Sequence, residues 1–216
     1  MLFPFTQIAE LVCLIFAIRF LAGIKDSFWG YIRWFMLFTV MVEIAGHAML
    51  SMNVPNHWLY NLYLPVEMLF KYYLLYKICN GYFPVKYLAV SFLALFGLLY
   101  AYEGIASGFN EYSVWSNSAA SVGILTICCF YFYYFLKKEE YVDIYQHAPF
   151  WIVTALFFFY LGGTACNVFF KYLANIYEKQ HIPVRYIIYT LLNFIFYGCW
   201  SYSFVCRYRQ TTSSLS

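Results

Sequence analysis

The stretch VWSNSAASVGILTICCFYFYYFL (residues 114–136) contains no charged side chain along its whole length. An α-helix needs about 20 apolar residues to cross the hydrocarbon core of a bilayer. The stretch therefore predicts a membrane-spanning helix. Six further segments have a similar length and composition, which gives seven predicted spans at residues 2–22, 31–52, 58–79, 86–105, 114–136, 149–171 and 184–206.

The composition of the whole chain agrees with this interpretation. Hydrophobic residues make up 64% and charged residues 11% of the 216 residues, whereas about a quarter of the residues in a soluble domain are charged. The segments are uniformly apolar rather than alternating, which disfavours a transmembrane β-barrel. We therefore predict an all-α polytopic membrane protein with one seven-helix domain (1–206) and a short polar cytoplasmic tail (207–216). Short loops predict that neighbouring helices are antiparallel.

The distribution of basic residues predicts the orientation, because cytoplasmic flanks are enriched in Lys and Arg. An outside N-terminus and an inside C-terminus place nine basic residues in the cytoplasm and three outside. The inner residues are Arg19, Lys25, Arg33, Lys77, Lys86, Lys137, Lys138, Arg207 and Arg209, and the outer ones are Lys171, Lys179 and Arg185. We expect a multi-pass protein of the cell membrane, most simply a bacterial inner membrane.

The second and third segments show a weak sequence similarity to the sixth and seventh. A shift of about 117 residues aligns Trp34 with Trp151, and a shift of about 126 aligns Glu67 with Asn193. Parallel repeats of this kind occur among small transporters, so a 3+1+3 pseudo-repeat with the fourth helix between two halves is one interpretation. Chance matches in a chain with 25% aromatic residues are the other.

The cysteines and basic residues exclude several kinds of site. None of the seven cysteines belongs to a CxxC pair or to a His/Cys spacing suited to zinc, so we interpret them as small buried hydrophobic side chains. We expect no metal and no cofactor. The chain has no basic tract that would bind nucleic acid.

Ionisable residues near the middle of predicted spans are the strongest functional signal. Glu43 and Glu67 lie near the middles of the second and third segments, and we expect them at nearly the same depth. His47 lies one turn from Glu43, and Lys71 lies one turn from Glu67, on the same helix faces. A charge at the bilayer centre costs roughly 2.5–3.5 kcal/mol on insertion scales, so these groups should face one another or a wet cavity. Glu67 and Lys71 can pair within one helix.

We predict a polar cavity among the first, second, third, sixth and seventh helices, open to the outside. The candidate ligand-binding residues are Glu10, Glu43, His47, Asn61, Glu67, Lys71, Asn167 and Asn193. Pro65 removes a backbone donor and frees the carbonyl about four residues earlier, near Asn61, where a kink would open the bundle. A fully satisfied polar core without a ligand is the competing interpretation.

Two segments of the sequence resemble those of other membrane proteins. NLYLPVE (61–67) and PFWIVTALFFFYLGGT (149–164) resemble a loose group of uncharacterised bacterial seven-helix integral membrane proteins of about this length. The resemblance implies a seven-helix fold and carries no activity. A retinal protein of the microbial rhodopsin kind needs a lysine in the seventh helix, and the seventh segment has none. Seven-helix zinc hydrolases need several intramembrane histidines, and only His47 is available.

Three functions remain open from the sequence. We favour an integral membrane ligand-binding or signal-sensing module, which would require a cytoplasmic signalling partner because no output domain is present. The alternative is a small secondary transporter that uses Glu43 and Glu67 for proton or cation coupling. The third is an intramembrane enzyme that uses Glu43 and His47, but two ligands do not complete a metal site. The carboxylates favour a small polar or cationic ligand over an anion, and the bilayer is the other partner.

Overall fold

The structure, a computed structural model, describes residues 5–108, 112–138 and 143–213. Every regular element in those ranges is helical, and a helix occupies each of the seven predicted segments. The helices are α1 (Phe5–Leu21), α2 (Ser27–Ser51), α3 (His57–Cys79), α4 (Val85–Ser107), α5 (Val114–Lys137), α6 (Ala148–Val168), α7 (Phe170–Gln180) and α8 (Val184–Ser213), with a short 3₁₀ turn at Ile144–Gln146. The all-helical prediction is confirmed.

Within the part of the chain that the structure describes, four helices are long and apolar enough to cross a membrane, namely α2, α4, α5 and α6. The bent pair of α7 and α8 makes a fifth candidate if it is counted as one broken span. This indicates a membrane protein. Helix α1 has 17 residues in the described range, and α3 carries polar and charged residues along its length, so neither belongs to this set. Seven spans and their orientation stay predictions.

Two boundaries differ from the predicted segments. Helix α6 ends at Val168, and a separate helix, α7, follows after one residue. The sequence predicts the end of a span and a loop in this region. The search for long apolar runs missed α7 because this helix is short and amphipathic. Helix α8 continues to Ser213, so most of the predicted tail (207–216) is helical up to that residue, and residues 214–216 lie outside the described ranges.

One compact unit comprises residues 1–36 and 141–216. Within it, α8 packs along both α1 and α6, and Trp200 and Phe204 of α8 are fully buried there. The Ser203 hydroxyl donates a hydrogen bond of 2.8 Å to the Ala148 carbonyl at the start of α6. This unit combines helices from both halves of the predicted 3+1+3 arrangement, and the pseudo-repeat stays a prediction.

The other compact unit comprises residues 37–140. Within it, α5 packs against α3 and α4, and the buried Tyr72 hydroxyl of α3 donates a hydrogen bond of 2.9 Å to the Ala120 carbonyl of α5. Helix α4 has the smallest buried share of the four candidate spans. The cysteines are free thiols, and most are buried as predicted, but Cys129 on α5 is exposed.

Candidate functional site

The carboxylate of Glu43 is the centre of the candidate site in the unit of residues 37–140. The Tyr60 hydroxyl of α3 donates a hydrogen bond of 3.1 Å to Glu43 Oε2. This approach needs a glycine at position 46, because a Cβ there would lie 2.6 Å from the Tyr60 hydroxyl oxygen. The sequence EIAG (43–46) therefore places the Glu43 carboxylate and Gly46 on neighbouring turns of α2. The missing Cβ of Gly46 leaves room for the Tyr60 hydroxyl.

The end of α2 is tied to the start of α3 close to this site. The Asn56 side-chain amide donates a hydrogen bond of 3.1 Å to the Gly46 carbonyl. Asn53, in the turn between the helices, has a φ of 57°, a left-handed conformation that asparagine adopts more readily than most residues. The short connection thus holds Tyr60 in reach of Glu43.

Two tyrosines lie near this carboxylate, and a histidine packs against one of them. The rings of Tyr60 and Tyr112 lie 6.4 Å apart between centroids, and His57 packs edge-on against Tyr112 at 4.4 Å. Burial, and then the charge of Glu43, raise the pKa of Tyr112, so its phenol stays protonated at neutral pH. A carboxylate beside two tyrosine rings is an arrangement that attracts cations, because ring faces and carboxylates are both negative.

The Glu67 carboxylate is neutralised within its own helix. Lys71, only 4% exposed, donates a hydrogen bond to Glu67 Oε1 one turn earlier in α3 and forms an ion pair with it. The predicted pairing of these residues is confirmed. Glu43, in contrast, has no basic partner among the described residues, and Tyr60 is the side chain that bonds it. One negative charge is thus left uncompensated by any described cation.

The charges of Glu43 and Glu67 repel each other. Two tyrosine hydroxyls of α3 contact α2 near these residues: Tyr60 donates to Glu43, and Tyr63 shares a hydrogen bond of 2.8 Å with Thr39. The equal depth of the two carboxylates stays a prediction.

Asn61 has a structural role that the sequence only partly indicated. It is 2% exposed, and its side-chain oxygen accepts a hydrogen bond of 3.2 Å from the Ser113 backbone N–H, just before α5. Its backbone carbonyl, which Pro65 leaves without a helical donor, accepts a hydrogen bond of 2.9 Å from the Tyr100 hydroxyl of α4. The predicted freed carbonyl at Asn61 is confirmed, while a kink and ligand contacts of Asn61 stay predictions.

His47 does not accompany Glu43 into the protein interior. Its side chain is exposed, whereas Glu43 is half-buried. Four residues turn a helix by about 40° beyond a full turn, which is enough to separate the faces of the two side chains. No three His, Cys, Asp or Glu side chains form a metal-binding group within residues 5–108, 112–138 and 143–213.

The three remaining predicted site residues lie in the unit of residues 1–36 and 141–216. Glu10 is 4% exposed on α1. Asn167 is half-buried near the end of α6. Asn193 is half-buried on α8, and its side-chain amide donates a hydrogen bond of 2.8 Å to the Tyr189 carbonyl of the same helix. Their membership of one cavity with Glu43 and Glu67 stays a prediction.

Comparison with known proteins does not extend these observations. No family model matches the chain, and neither the curated proteins nor the solved structures gave a match. The resemblance to bacterial seven-helix proteins therefore stays a prediction, and the function has to be argued from the site itself.

Sequence reasoning missed several residues of the site. Tyr60 and Tyr112 are two of 24 tyrosines, and no spacing distinguishes them from tyrosines at the membrane interface. His57, which no sequence pattern connects to Glu43, is half-buried against Tyr112. Glu103 lies near the end of α4 and reaches the start of α5, where a carboxylate is suited to bind the free N–H groups of the first helical turn.

Glu103 holds the start of α5 in place. It is 9% exposed, and its carboxylate accepts hydrogen bonds from the backbone N–H groups of Trp115 (2.7 Å) and Ser116 (3.1 Å). We expect Glu103→Ala to lower the free energy of unfolding by about 0.5–2 kcal/mol, as for loss of a helix cap. Glu103→Gln, which keeps one acceptor oxygen, should lose roughly half as much. Thermal unfolding in detergent followed by circular dichroism measures both, and equal stability of all three proteins would contradict the capping role.

Proposed function

We propose that the chain is a multi-pass membrane protein that binds a small cation or amine at Glu43. The observation that carries the proposal is a half-buried carboxylate without a basic partner among the described residues, with tyrosine rings beside it. An uncompensated charge in an apolar region is costly. A bound cation removes that cost, and cation–π attraction to tyrosine adds about 0.5–2 kcal/mol.

The same features favour a ligand-binding or sensing role. Lys71 compensates Glu67 within α3, so the ligand would meet a single negative group rather than a carboxylate pair. Signalling would then pass to a separate cytoplasmic partner. In the full form of the proposal, the site at Glu43 opens to the outside.

Pro65 supports transport as the second candidate function. The Asn61 carbonyl that it frees accepts a hydrogen bond from Tyr100 of α4 instead of from a backbone N–H of α3. A bend of α3 at this point would therefore break the Tyr100 hydrogen bond and no backbone hydrogen bond at that carbonyl. A bend beside a titratable carboxylate is suited to proton-coupled or cation-coupled exchange. Glu43, alternately protonated and cation-bound, would be the coupling group.

Binding assays on the purified full chain test the proposal. Tetramethylammonium and benzylamine serve as cationic probes, and acetate serves as the anionic control. We expect saturable binding of the cations by isothermal titration, lost in Glu43→Gln and weakened about 2- to 30-fold in Tyr112→Ala, the range of one cation–π contact. Glu178→Gln, a matched change of an exposed carboxylate on α7, should bind like the wild type.

Uptake into liposomes on the same samples separates the two functions. Binding without uptake supports the sensing module, whereas saturable uptake that is lost in Glu43→Gln supports the transporter. If neither cation binds the wild type more tightly than acetate, or if Glu43→Gln binds unchanged, the proposed site is refuted.

The orientation is a further part of the proposal. We propose seven spans with the N-terminus outside, from the nine-to-three asymmetry of basic residues. In a cysteine-free background, a cysteine at position 110 should react with an impermeant thiol reagent added to intact cells, and one at position 138 should not. Position 110 lies outside the described residues. The reverse labelling pattern would invert the proposed topology.

A further inference from the structure

A cavity of about 490 Å³ lies between α7 and the first turns of α8. The two helices are bent by 120° relative to each other, which leaves a wedge-shaped space inside the angle. The volume falls within the range of pockets that hold small organic ligands. None of the predicted cation-site residues lines this cavity, so it is a site of another kind.

Helix α7 turns one apolar face towards the cavity. Phe170, Leu173, Ala174 and Tyr177 line it, and their i, i+3, i+4, i+7 spacing is that of a single helix face. The opposite face carries Lys171, Asn175, Glu178 and Lys179, which are all exposed. A short helix with this division is suited to lie in the plane of a membrane interface.

Arg185 is the charged residue of the cavity lining. Its guanidinium lies 5.1 Å from the ring centroid of Phe170 and 5.5 Å from that of Tyr189, so two aromatic rings of the lining hold it. The side chain is otherwise exposed, and its planar donors match a phosphate group in a way that a lysine does not. Residues 170–189 carry three basic side chains and one acidic one.

The geometry points to a binding site for an anionic phospholipid of the surrounding bilayer, with one acyl chain in the cavity and the phosphate at Arg185. The apolar lining suits the chain, and the excess of basic residues suits the headgroup. The source is the bilayer, because α7 carries an apolar stripe and adjoins α6, one of the candidate spans. The site does not depend on cation binding at Glu43.

Native mass spectrometry of the full chain tests the site with phosphatidylglycerol and phosphatidylcholine of identical acyl chains. Both lipids carry a phosphodiester, but the quaternary ammonium group of phosphatidylcholine is repelled by Arg185 and competes for the phosphate, so we expect the wild type to bind phosphatidylglycerol about tenfold more tightly. Arg185→Gln should weaken phosphatidylglycerol more than phosphatidylcholine and so remove most of that preference. Lys179→Gln is the matched control, since it removes the same charge near the end of α7 from a residue outside the cavity lining, and it should keep the preference.

A second variant tests the acyl chain. Ala174→Trp, which fills the cavity, should weaken both lipids several-fold, with the helix content checked by circular dichroism. Millimolar inorganic phosphate should displace neither lipid. The proposal is overturned if the wild type shows no preference, if Lys179→Gln loses as much preference as Arg185→Gln, or if phosphate alone displaces phosphatidylglycerol. Unchanged lipid binding in a folded Ala174→Trp variant would also overturn it.

Discussion

Replacement of Glu67 by leucine is expected to lower the free energy of unfolding by about 3–5 kcal/mol, because it removes an ion-pair partner of a buried lysine. Lys71 is 4% exposed and pairs with Glu67 one turn away in α3. Loss of the repulsion between Glu67 and Glu43 offsets part of this effect, so the lower end of the range is the better expectation. Denaturant unfolding in mixed micelles measures the difference.

A double-mutant cycle separates the ion pair from simple changes of packing. Lys71→Met alone should also destabilise the protein, while the double variant Glu67→Leu/Lys71→Met should be milder than Glu67→Leu alone, since apolar replacement of a whole buried pair is often nearly neutral. Glu178→Leu on the exposed surface of α7 is the control and should have little effect. Strictly additive single changes would show that the pair contributes nothing.

Replacement of Gly123 by valine should destabilise the contact of α5 with α3 and α4. A Cβ at this position would lie 2.1 Å from the Tyr72 hydroxyl oxygen and 2.5 Å from Phe92 Cγ, so both side chains must move. Tyr72 would also lose its hydrogen bond to Ala120. Overpacking of a core costs about 1–3 kcal/mol and occasionally more, and we expect the upper part of that range in thermal unfolding measurements.

Gly97 provides the matched control for this change. It lies inside α4, and a Cβ there would meet nothing within 4 Å. Gly97→Ala should therefore leave stability unchanged or raise it by up to about 1 kcal/mol, the helix-propensity gain of alanine over glycine. In addition, Tyr72→Phe should partly rescue Gly123→Ala, since it removes the closest atom. A Gly123→Val protein as stable as Gly97→Ala would contradict the close packing of α5.

The sequence predicted the helices well because apolar length is a strong and local signal. The seven long segments each contain a helix, and the pairing of Glu67 with Lys71 followed from a spacing of four residues. Helix α7 escaped prediction since amphipathic short helices lack that signal. The end of α6 at Val168 has no sequence feature that we can connect to it.

The candidate site was predicted only where a local rule applied. Pro65 indicated the freed carbonyl of Asn61, but its partner Tyr100 lies 39 residues away, and such pairings depend on how helices pack. The same holds for Tyr60, which reaches Glu43 across a helix–helix gap that Gly46 permits. Register between helices is set by side-chain volume, which apolar patterns do not report.

The bond between Tyr100 and Asn61 has a consequence for the order in which the chain assembles. A helix normally completes its backbone hydrogen bonds from its own residues, within microseconds, but α3 takes one of them from α4. In hydrocarbon, a carbonyl without a donor costs several kcal/mol. Under the proposed seven-span topology, a nascent chain that has inserted α3 but not yet α4 leaves the Asn61 carbonyl without this donor. Synthesis through residue 100 would then be the earliest point at which that carbonyl can be bonded by Tyr100.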